Sequence, residues 1–357
     1  MSSSYFLKTF RIILFPFALL YWLIIAIRNF LYNTKVFKSS SFGLPLICIG
    51  NLSVGGTGKS PMVEYLVTLL KDQFKIATLS RGYKRKTKGY TLASPTTTAL
   101  EIGDEPMLFH IKFPDVPVAV GEERLDAISQ LLHDKPGTEA VILDDAFQHR
   151  AIRAGLNILL TDCNNLFTRD FYLPTGDLRD QKSSYKRAQI VVVTKCSADL
   201  TKEGKDKIVT EINPVNGQSV FFTSIEYGNI YHIHSKLGYH LTDKTEVLLV
   251  TGIANPKPLM TMLENSCSSF SMLQYPDHHI FTIDHLREIK KRFHQIDTAD
   301  KIILTTEKDA VRLIKFDNEL IDLPLFVIPI RHDFLFGEEP KFNELVIQFI
   351  RTFRKTE

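Results

Sequence analysis

The sequence predicts an α/β protein with a larger domain built on a parallel sheet, a smaller second α/β domain and an apolar helix at the N-terminus. Three observations lead to this prediction. Residues 12–27 form an uncharged apolar run, a glycine-rich stretch follows a strand-like run near residue 50, and short strand-like runs then alternate with helical patterns. Such alternation is typical of parallel sheets that carry helices on both faces.

Length and composition are those of an ordinary globular protein of two domains. The chain has 357 residues, of which 44% are hydrophobic and 23% charged, and its net charge is +3. So small a net charge gives no reason to expect a nucleic-acid partner. The four cysteines are scattered without a Cys-x-x-Cys pair, which favours a reducing compartment and predicts neither a disulfide framework nor a zinc site.

Residues 1–42 form the first predicted unit, a membrane-associated helix. No Asp or Glu precedes Glu64, whereas Lys8, Arg11 and Arg28 supply positive charge around the apolar run. The run is shorter than the about 20 apolar residues of a full membrane span. We therefore expect a helix that lies in one leaflet, with basic residues facing anionic headgroups. A buried core helix and a membrane-spanning anchor of an otherwise cytoplasmic chain remain open alternatives.

Residues 46–70 have the order of strand, glycine loop and helix that a phosphate-binding P-loop requires. The predicted nucleotide-binding residues are consecutive: Ser53, Val54, Gly55, Gly56, Thr57, Gly58, Lys59 and Ser60. Backbone N–H groups of such a loop converge on an anion at a helix N-terminus. Lys59 would reach the β- and γ-phosphates, and the Ser60 hydroxyl would bind Mg²⁺. The pattern departs from G-x-x-x-x-G-K-[ST] at Ser53, and a glycine turn without a ligand is the alternative.

The remaining elements indicate a P-loop NTPase-like parallel sheet followed by a second α/β unit. Strand-like runs lie at 76–79, 116–120, 140–143, 156–160 and 190–193, with a helical pattern at 122–133. A second alternation has strand-like runs at 247–250, 301–304 and 325–330. The strand-like pattern at 219–233 predicts a ribbon between the two. We expect a nucleotide-binding domain at 43–225, a ribbon linker at 226–245 and a C-terminal domain at 246–357 that closes over the active site.

Two carboxylates end the buried strand-like run at 140–143. In P-loop proteins an acidic residue at such a strand end holds Mg²⁺ or its water, so Asp144 and Asp145 are candidate metal ligands. A solvated turn would also explain two adjacent acids. His149 follows within the same segment, although a lone histidine is more often a structural hydrogen-bonding residue than a catalyst.

Two loops carry candidate substrate contacts. Arg81 opens a basic cluster at 81–88, directly after a strand-like run. Ligands of open α/β sheets bind at the carboxyl ends of the strands, so this cluster could meet an anionic substrate or be only a solvated loop. Arg179 and Asp180 lie in a second polar loop, which by itself is a weak signal.

Asp104 and His278 are the candidate acid–base residues. Asp104 begins a helical pattern, where it could be only an N-cap or could accept the proton of an attacking hydroxyl. His278 lies in the predicted second domain, from which it could orient a carboxylate base across an interdomain cleft. The neighbouring His279 suggests a metal pair, but adjacent side chains point apart on most backbones.

Taken together, these segments resemble the tetraacyldisaccharide 4′-kinases, the lipid A 4′-kinases of Gram-negative bacteria. The matching segments occur in the family's order: GNLSVGGTGKSP at 50–61, SRGY at 80–83, GDEP at 103–106, LDDAFQH at 143–149, LPTGDLR at 173–179, TGIANP at 251–256, PDHH at 276–279 and TTEKDAVRL at 305–313. They span nearly the whole chain. The family's P-loop also lacks the first Walker glycine, where Ser53 stands.

The resemblance implies ATP-dependent phosphorylation of the 4′-hydroxyl of tetraacyldisaccharide 1-phosphate at the cytoplasmic face of the bacterial inner membrane. ATP and Mg²⁺ would be the cofactors, and the acylated glucosamine disaccharide and the membrane surface the partners. By motif, Lys59 and Ser60 would bind the nucleotide phosphates and Mg²⁺.

The same motifs imply roles for the acidic and histidine residues. Asp144 and Asp145 would form the Walker-B pair, and Asp104 would be the base, assisted by His278. Arg179 and its acidic neighbour would line the same cleft. The family usually has glycine at Ala146 and glutamate at Asp180, so the shorter Asp180 leaves its contact open.

A competing function is a membrane-tethered P-loop GTPase or ATPase switch. The segment TKCS at 194–197 lies at a strand end, as a guanine-reading motif would, but it lacks the carboxylate that binds the guanine ring. A nucleotide-binding membrane adaptor without catalytic activity is a third possibility. Phosphate transfer that requires a lipid acceptor distinguishes the kinase from both.

Overall fold

The computed structural model of the chain describes residues 13–353. Within this range the strands are β1 (Leu46–Asn51), β2 (Ile76–Ser80), β3 (Thr91–Leu92), β4 (Val118–Val120), β5 (Ala140–Leu143), β6 (Leu156–Asp162), β7 (Ile190–Thr194), β8 (Ser219–Tyr227), β9 (Ile230–His232), β10 (Gly238–Tyr239), β11 (Glu246–Thr251), β12 (Ser269–Gln274), β13 (Lys301–Thr306), β14 (Leu325–Ile328) and β15 (Ile330–Phe334). The α-helices are α1 (Phe15–Asn33), α2 (Lys59–Leu70), α3 (Ala99–Ile102), α4 (Asp104–Lys112), α5 (Arg124–Asp134), α6 (Lys202–Ile212), α7 (Lys257–Glu264), α8 (Ile283–His294), α9 (Glu307–Leu313), α10 (Asp317–Leu320) and α11 (Glu339–Thr352). Short 3₁₀ helices occupy Lys182–Arg187, Ile314–Phe316 and Leu335–Gly337.

The larger sheet has nine strands in the order β15-β8-β7-β6-β1-β5-β2-β4-β3. Its strands from β8 to β4 run parallel, and β15 and β3 add antiparallel edges. Strand β1 is buried throughout and lies between β5 and β6. Because parallel strands end at the same edge of a sheet, the residues after β1 and β5 meet there.

Helix α2 packs on this sheet with the face that its sequence periodicity predicts. Five apolar residues at helical spacing are fully buried: Met62, Val63, Leu66, Val67 and Leu70. Burial of such a stripe against the sheet is the main source of stability for a helix of this length. The packing fixes the N-terminus of α2 at the carboxyl edge of β1, where the glycine loop lies.

The second sheet has six strands in the order β10-β9-β14-β13-β11-β12, with a parallel centre and antiparallel β9 and β10. The two sheets and their helices confirm the predicted α/β class. The segment predicted as a ribbon at 219–233 crosses between the sheets, since β8 pairs with β7 of the larger sheet and β9 pairs with β14 of the smaller one.

The chain returns to the larger sheet after β14. Pro329 separates β14 from β15, and β15 pairs antiparallel with β8. Helix α11 follows and buries Phe342, Val346 and Ile350 beside the α2 face of that sheet. Covering the open edge of β8 explains this return, because an unpaired edge strand exposes backbone donors and acceptors. Residues 330–352, which were predicted to belong to the C-terminal domain 246–357, thus pack with the larger sheet. Strands β9 and β10, inside the predicted linker 226–245, belong to the smaller sheet.

Helix α1 exposes most of its apolar side chains. Only Ala18 and Asn29 of its residues are buried, whereas Phe17, Leu20 and Leu23 are among its many exposed apolar residues. The alternative of a buried core helix is therefore wrong. By length and composition α1 is the one helix of the described residues that could cross a membrane, with 11% of its most apolar stretch buried. Lys8, Arg11 and residue 12, which belong to the same prediction, lie outside the described residues.

Candidate active site

The glycine loop connects β1 to α2 over residues 53–60. Gly55 and Gly58 have φ angles of +106° and +83°, in the left-handed region that side chains disfavour. A Cβ added at Gly55 or Gly56 would meet no atom within 4 Å, so this part of the loop surface is open to a ligand. The backbone N–H of Val54 donates to the carbonyl of Asp177 at 2.7 Å and ties the loop to a second one. The loop has the geometry of a phosphate-binding turn at a helix N-terminus.

Lys59 and Ser60 occupy the first turn of α2 and contact acidic and polar partners. Lys59 Nζ lies 3.3 Å from Asn51 Oδ1 and 3.7 Å from Asp145 Oδ1. The Ser60 hydroxyl donates to Glu105 Oε1 at 3.0 Å. These contacts bring the loop together with the residues after β5 and with the start of α4.

Ser53 and Thr57 are buried at the two ends of the loop. The Ser53 hydroxyl donates to Asp170 Oδ2 at 3.3 Å, so the residue in place of the first Walker glycine holds a neighbouring loop. The Thr57 carbonyl accepts from the hydroxyl of Thr194 at the end of β7, at 2.9 Å. The first contact ties the glycine loop to a neighbouring loop, and the second anchors it to the sheet.

His332 of β15 holds the glycine loop through a hydrogen bond to its backbone, a role that the sequence did not predict. Its Nε2 donates to the carbonyl of Gly58 at 2.8 Å, and its Nδ1 accepts from the Thr223 hydroxyl at 2.9 Å. Burial lowers the pKa of His332 to about 4, so the ring is neutral at physiological pH and keeps this tautomer. A Cβ at Gly58 would come within 2.9 Å of the ring, which explains the glycine there.

Asp144 and Asp145 follow β5 and reach the glycine loop. Asp144 is buried, and its Oδ1 has no hydrogen-bond partner within residues 13–353. Burial raises the pKa of Asp144 to about 7, with further increases from the negative charges of Glu105 and Asp145. Burial also acts on Asp145, but the charge of Lys59 and the hydrogen bond from Arg179 outweigh it and lower the pKa of that carboxyl. Asp145 is thus paired with cations, whereas the charges of Lys59 and Arg124 do not outweigh the burial of Asp144.

The predicted Mg²⁺ ligands Ser60, Asp144 and Asp145 fit such a cation. Among the described residues no group of three or more His, Cys, Asp or Glu side chains forms a complete metal site. Mg²⁺ usually keeps several waters and takes one or two protein carboxylates together with substrate phosphates. The unpartnered Oδ1 of Asp144 is the observation that fits, because a buried carboxylate oxygen requires compensation.

Asp104 and His278 meet across the two sheets. His278 Nδ1 lies 3.1 Å from Asp104 Oδ2, and Arg312 of α9 donates from Nη2 to the same oxygen at 2.5 Å. Burial raises the pKa of Asp104, but the hydrogen bonds from His278 and Arg312 outweigh it and lower this pKa to about 2. The N-cap of α4 is Gly103, so Asp104 is not the cap. His279 faces His285 instead, as expected for adjacent side chains.

Arg179 and Asp180 point in different directions. Arg179 Nη1 donates to Asp145 Oδ2 at 3.2 Å, and its Nη2 bonds to the other oxygen, which places the guanidinium at the site. Asp180 is fully buried and accepts hydrogen bonds from Asn29 at 2.8 Å and Arg187 at 3.0 Å. The expectation that both residues line the cleft is therefore wrong for Asp180. A buried carboxylate requires hydrogen-bond donors, and those of Asp180 lie in α1 and in the 3₁₀ helix Lys182–Arg187.

Arg81 and His149 lie on the same edge of the sheet but contact neither Asp104 nor Lys59. Arg81 is exposed, and His149 is partly buried. Burial lowers the pKa of His149, and the positive charge of Arg124 lowers it further, with smaller contributions from Arg28 and Arg81. Three arginines, Arg28, Arg81 and Arg124, thus bring positive charge to the surroundings of His149.

Three further residues complete the site and were not assigned roles from the sequence. Glu105 accepts from Ser60 and pairs with Lys308 at 3.0 Å, and Arg312 contacts Asp104. Lys308 and Arg312 belong to the segment TTEKDAVRL, whose helical spacing could have indicated that both lie on one face of α9. Helix α9 thus supplies two cations to α4.

Comparisons with known proteins agree with this arrangement. The family model described as "Tetraacyldisaccharide-1-P 4'-kinase" matches residues 10–351. A tetraacyldisaccharide 4′-kinase of Bacteroides thetaiotaomicron is 43% identical over 352 residues, covering 95% of this chain and 93% of its own length. One of Flavobacterium psychrophilum is 44% identical over 342 residues, covering 95% and 96%.

A solved structure extends the similarity to the fold. The crystal structure of LpxK from Aquifex aeolicus in complex with ATP aligns with a TM-score of 0.75 at 30% identity, covering 96% of this chain and 99% of that one. The sequence match and the structural match both run over nearly the whole chain. The chain belongs to the tetraacyldisaccharide-1-P 4′-kinase family.

Proposed function

We propose that this chain transfers the γ-phosphate of ATP to the 4′-hydroxyl of tetraacyldisaccharide 1-phosphate, the reaction after which its relatives are named. The observation that carries the proposal is the contact of Asp104 with His278, at 3.1 Å, beside a glycine loop that carries Lys59 and Ser60. A carboxylate with an orienting histidine next to a phosphate-binding loop suits the transfer of a phosphoryl group to an alcohol.

The glycine loop and its neighbours would hold the nucleotide. Lys59 would contact the β- and γ-phosphates, and backbone N–H groups of residues 54–58 would converge on the same oxygens. Ser60, Asp144 and Asp145 would hold Mg²⁺, which neutralises phosphate charge when bound. Arg179 keeps Asp145 in place through two hydrogen bonds.

Asp104 would accept the proton of the 4′-hydroxyl as the oxygen bonds to phosphorus and ADP departs. The transition state of such transfers is loose, so the protein contributes chiefly position and charge. His278 lies near enough to fix the carboxylate, and it lies in the loop after β12 of the smaller unit, so closure of the two units would complete the site and exclude water.

The acceptor is acylated and anionic, and two features of the chain suit it. Helix α1 presents exposed apolar side chains beside the site, since its Tyr21 hydroxyl donates to the Arg179 carbonyl at 3.2 Å. The positive charges of Arg81 and Arg124 near His149 would attract a phosphate. We place the chain at the cytoplasmic face of the bacterial inner membrane, with α1 in the lipid.

The competing prediction of a GTPase or ATPase switch is not favoured. Lys195, which the switch would use to read a guanine ring, is paired with Asp162 at 2.8 Å. A switch also gives no role to a histidine of the smaller unit at Asp104. Family membership points in the same direction.

The experiment is phosphate transfer from labelled ATP to tetraacyldisaccharide 1-phosphate in detergent micelles. Asp104→Asn should lower kcat by about 10²–10⁴-fold, the usual contribution of general-base catalysis, with little change in ATP affinity. His278→Ala should cost less, and the double variant should be no worse than Asp104→Asn, because members of one catalytic unit are not additive.

The matched control is Asp115→Asn, which alters an exposed aspartate before β4 and should leave kcat unchanged. Unchanged transfer in Asp104→Asn, or fully multiplicative losses in the double variant, would rule out this pairing and redirect the search for a base to Asp145 or His149.

A further inference from the structure

Arg312 of α9 contacts both members of the Asp104–His278 pair. Its Nη2 lies 2.5 Å from Asp104 Oδ2 and 3.0 Å from His278 Nδ1, and its side chain is 6% exposed. An ionised carboxylate only accepts hydrogen bonds and a guanidinium only donates them, so Nδ1 donates to Asp104 when it carries the proton, and its 3.0 Å contact with Arg312 is then not a hydrogen bond. Two donors, one from Arg312 and one from His278, therefore converge on a single oxygen of Asp104.

The guanidinium of Arg312 is itself held in place from its own side. Asp309, one helical turn earlier and fully buried, lies 3.5 Å from Arg312 Nη1. Asp309 in turn accepts from the backbone N–H of Gly252 at 3.0 Å and from the Thr306 hydroxyl at 2.8 Å. This buried anchor fixes the position of Arg312, which extends from α9 of the smaller unit toward α4 of the larger unit.

The arrangement leaves one oxygen of Asp104 available. Within the described residues, both side-chain hydrogen bonds that Asp104 accepts end on Oδ2, and Oδ1 receives none. A carboxylate clamped at one oxygen presents the other in a fixed direction, which is what positioning a proton acceptor requires. Lys308, the next cation along α9, pairs with Glu105 and does not contact Asp104.

From this geometry we infer that Arg312 is a positioning residue of the transfer reaction, which clamps Oδ2 of Asp104 so that Oδ1 faces the acceptor hydroxyl. The inference rests on the proposed role of Asp104 as the base. In a loose transition state the protein contributes chiefly position and charge, so the direction of the acceptor oxygen matters. Arg312 also keeps Asp104 ionised, because an adjacent guanidinium favours the charged form of a carboxyl group.

The test compares Arg312→Gln with Arg312→Lys at saturating ATP, Mg²⁺ and lipid. We expect kcat of Arg312→Gln to fall by about 10–100-fold, less than that of Asp104→Asn, with unchanged ATP affinity. Loss of the positive charge should raise the pKa of Asp104 by about 1–3 units. The ratio of variant to wild-type kcat should therefore decrease by at most about twofold as the pH is lowered from about 7 to about 5, and further toward about pH 4, since protonated Asp104 cannot act as a base.

Arg312→Lys retains the charge, so its kcat ratio should stay constant with pH and its loss should be smaller. Arg287→Gln removes an exposed arginine of α8 and should behave as wild type. Arg312→Gln could be unstable because it leaves the buried Asp309 without its cation. In that case the double variant Asp309→Asn/Arg312→Gln removes the buried charge, and the ratio of its kcat to wild-type kcat is measured over the same pH range.

Two outcomes separate the inference from the function on which it rests. Full transfer in Asp104→Asn would overturn the base itself. The role of Arg312 alone would be overturned if Asp104→Asn shows the expected loss of kcat and Arg312→Gln does not behave as predicted. That would be the case if the kcat ratio of Arg312→Gln to wild type did not change with pH, or if Arg312→Gln had the kcat of the wild type at pH 7. In an Asp104→Asn background the effect of Arg312→Gln on the pH dependence should vanish.

Discussion

Lys59 lies where the glycine loop, Asn51 and Asp145 meet, and its replacement tests the nucleotide site directly. Lys59→Ala should lower kcat by at least about 10²–10³-fold, the usual cost of removing one donor to a developing charge. Lys59→Arg should not restore activity, because the guanidinium is larger and planar. The measurement is phosphate transfer with labelled ATP, together with ATP binding.

The control for Lys59 is Lys71→Ala, directly after the far end of α2, where Lys71 pairs with the exposed Asp72. Its kcat should equal that of the wild type. Near-normal kcat in either Lys59 variant would mean that the glycine loop is not the nucleotide site.

The residues of the site that the sequence identified are those in local motifs. Lys59 and Ser60 follow a glycine pattern, and Asp144 and Asp145 end a buried strand, so chain order alone places them. Arg312 and His332 were missed because their partners at the site, Asp104 and Gly58, are more than 200 residues away and no local pattern encodes the contact. Asp180 was assigned to the cleft, but whether a side chain turns to a cleft or to a neighbouring helix depends on packing.

Helix α1 is an integral part of the site rather than only a tether. Asn29 is buried in an otherwise apolar helix, where it donates to Asp180, and Arg28 donates to the carbonyl of Gln148 at 2.6 Å. Since Asp180 adjoins Arg179, the helix contributes to the position of the residue that binds Asp145. Deleting residues 1–40 should therefore reduce stability and kcat as well as weaken membrane association and raise the KM for micellar lipid.

Two point variants separate these effects. Asn29→Leu removes one of the donors to the buried Asp180, which should lower the free energy of unfolding by about 1–3 kcal/mol and reduce kcat in detergent, with unchanged binding to anionic lipid vesicles. The double variant Leu20→Asn/Leu23→Asn alters exposed apolar residues of the same helix. It should weaken binding to anionic lipid vesicles and leave the free energy of unfolding and the kcat in detergent unchanged. Equal kcat in Asn29→Leu and wild type would contradict the structural role of α1.

At the scale of the whole molecule, the sequence predicted two α/β units but not where the chain returns to the larger one. The apolar run at 325–330 was read as one strand, whereas Pro329 divides it into β14 and the start of β15, which join different sheets. Proline is poorly tolerated inside a strand, which is a local signal for this break. The destination of β15 depends on the free edge of β8, which no local pattern shows. We propose that the larger unit includes β15 and α11.

The contact between the two units contains a lysine shared by two glutamates. Lys112 of α4 lies 2.5 Å from Glu64 of α2 and 2.7 Å from Glu307 of α9. Burial raises the pKa of Glu64 to about 7, the charge of Glu307 raises it further, and Lys112 opposes both. Between pH 4.5, the ordinary pKa of a glutamate, and about pH 7, the folded protein binds more protons at Glu64 than the unfolded chain does. The free energy of unfolding should therefore decrease as the pH rises through this range.

Glu64→Gln removes this titration and leaves Lys112 paired with Glu307. The Tm of the variant relative to wild type should therefore increase from pH 5 to pH 8, by an amount corresponding to roughly 3 kcal/mol at most, since one pKa unit is worth about 1.4 kcal/mol. Thermal unfolding at several pH values measures the difference. Glu264→Gln, on the exposed end of α7, is the control, and its difference from wild type should not change with pH. Parallel curves for Glu64→Gln and wild type would show that the charge shared between α2, α4 and α9 does not set the stability of the contact.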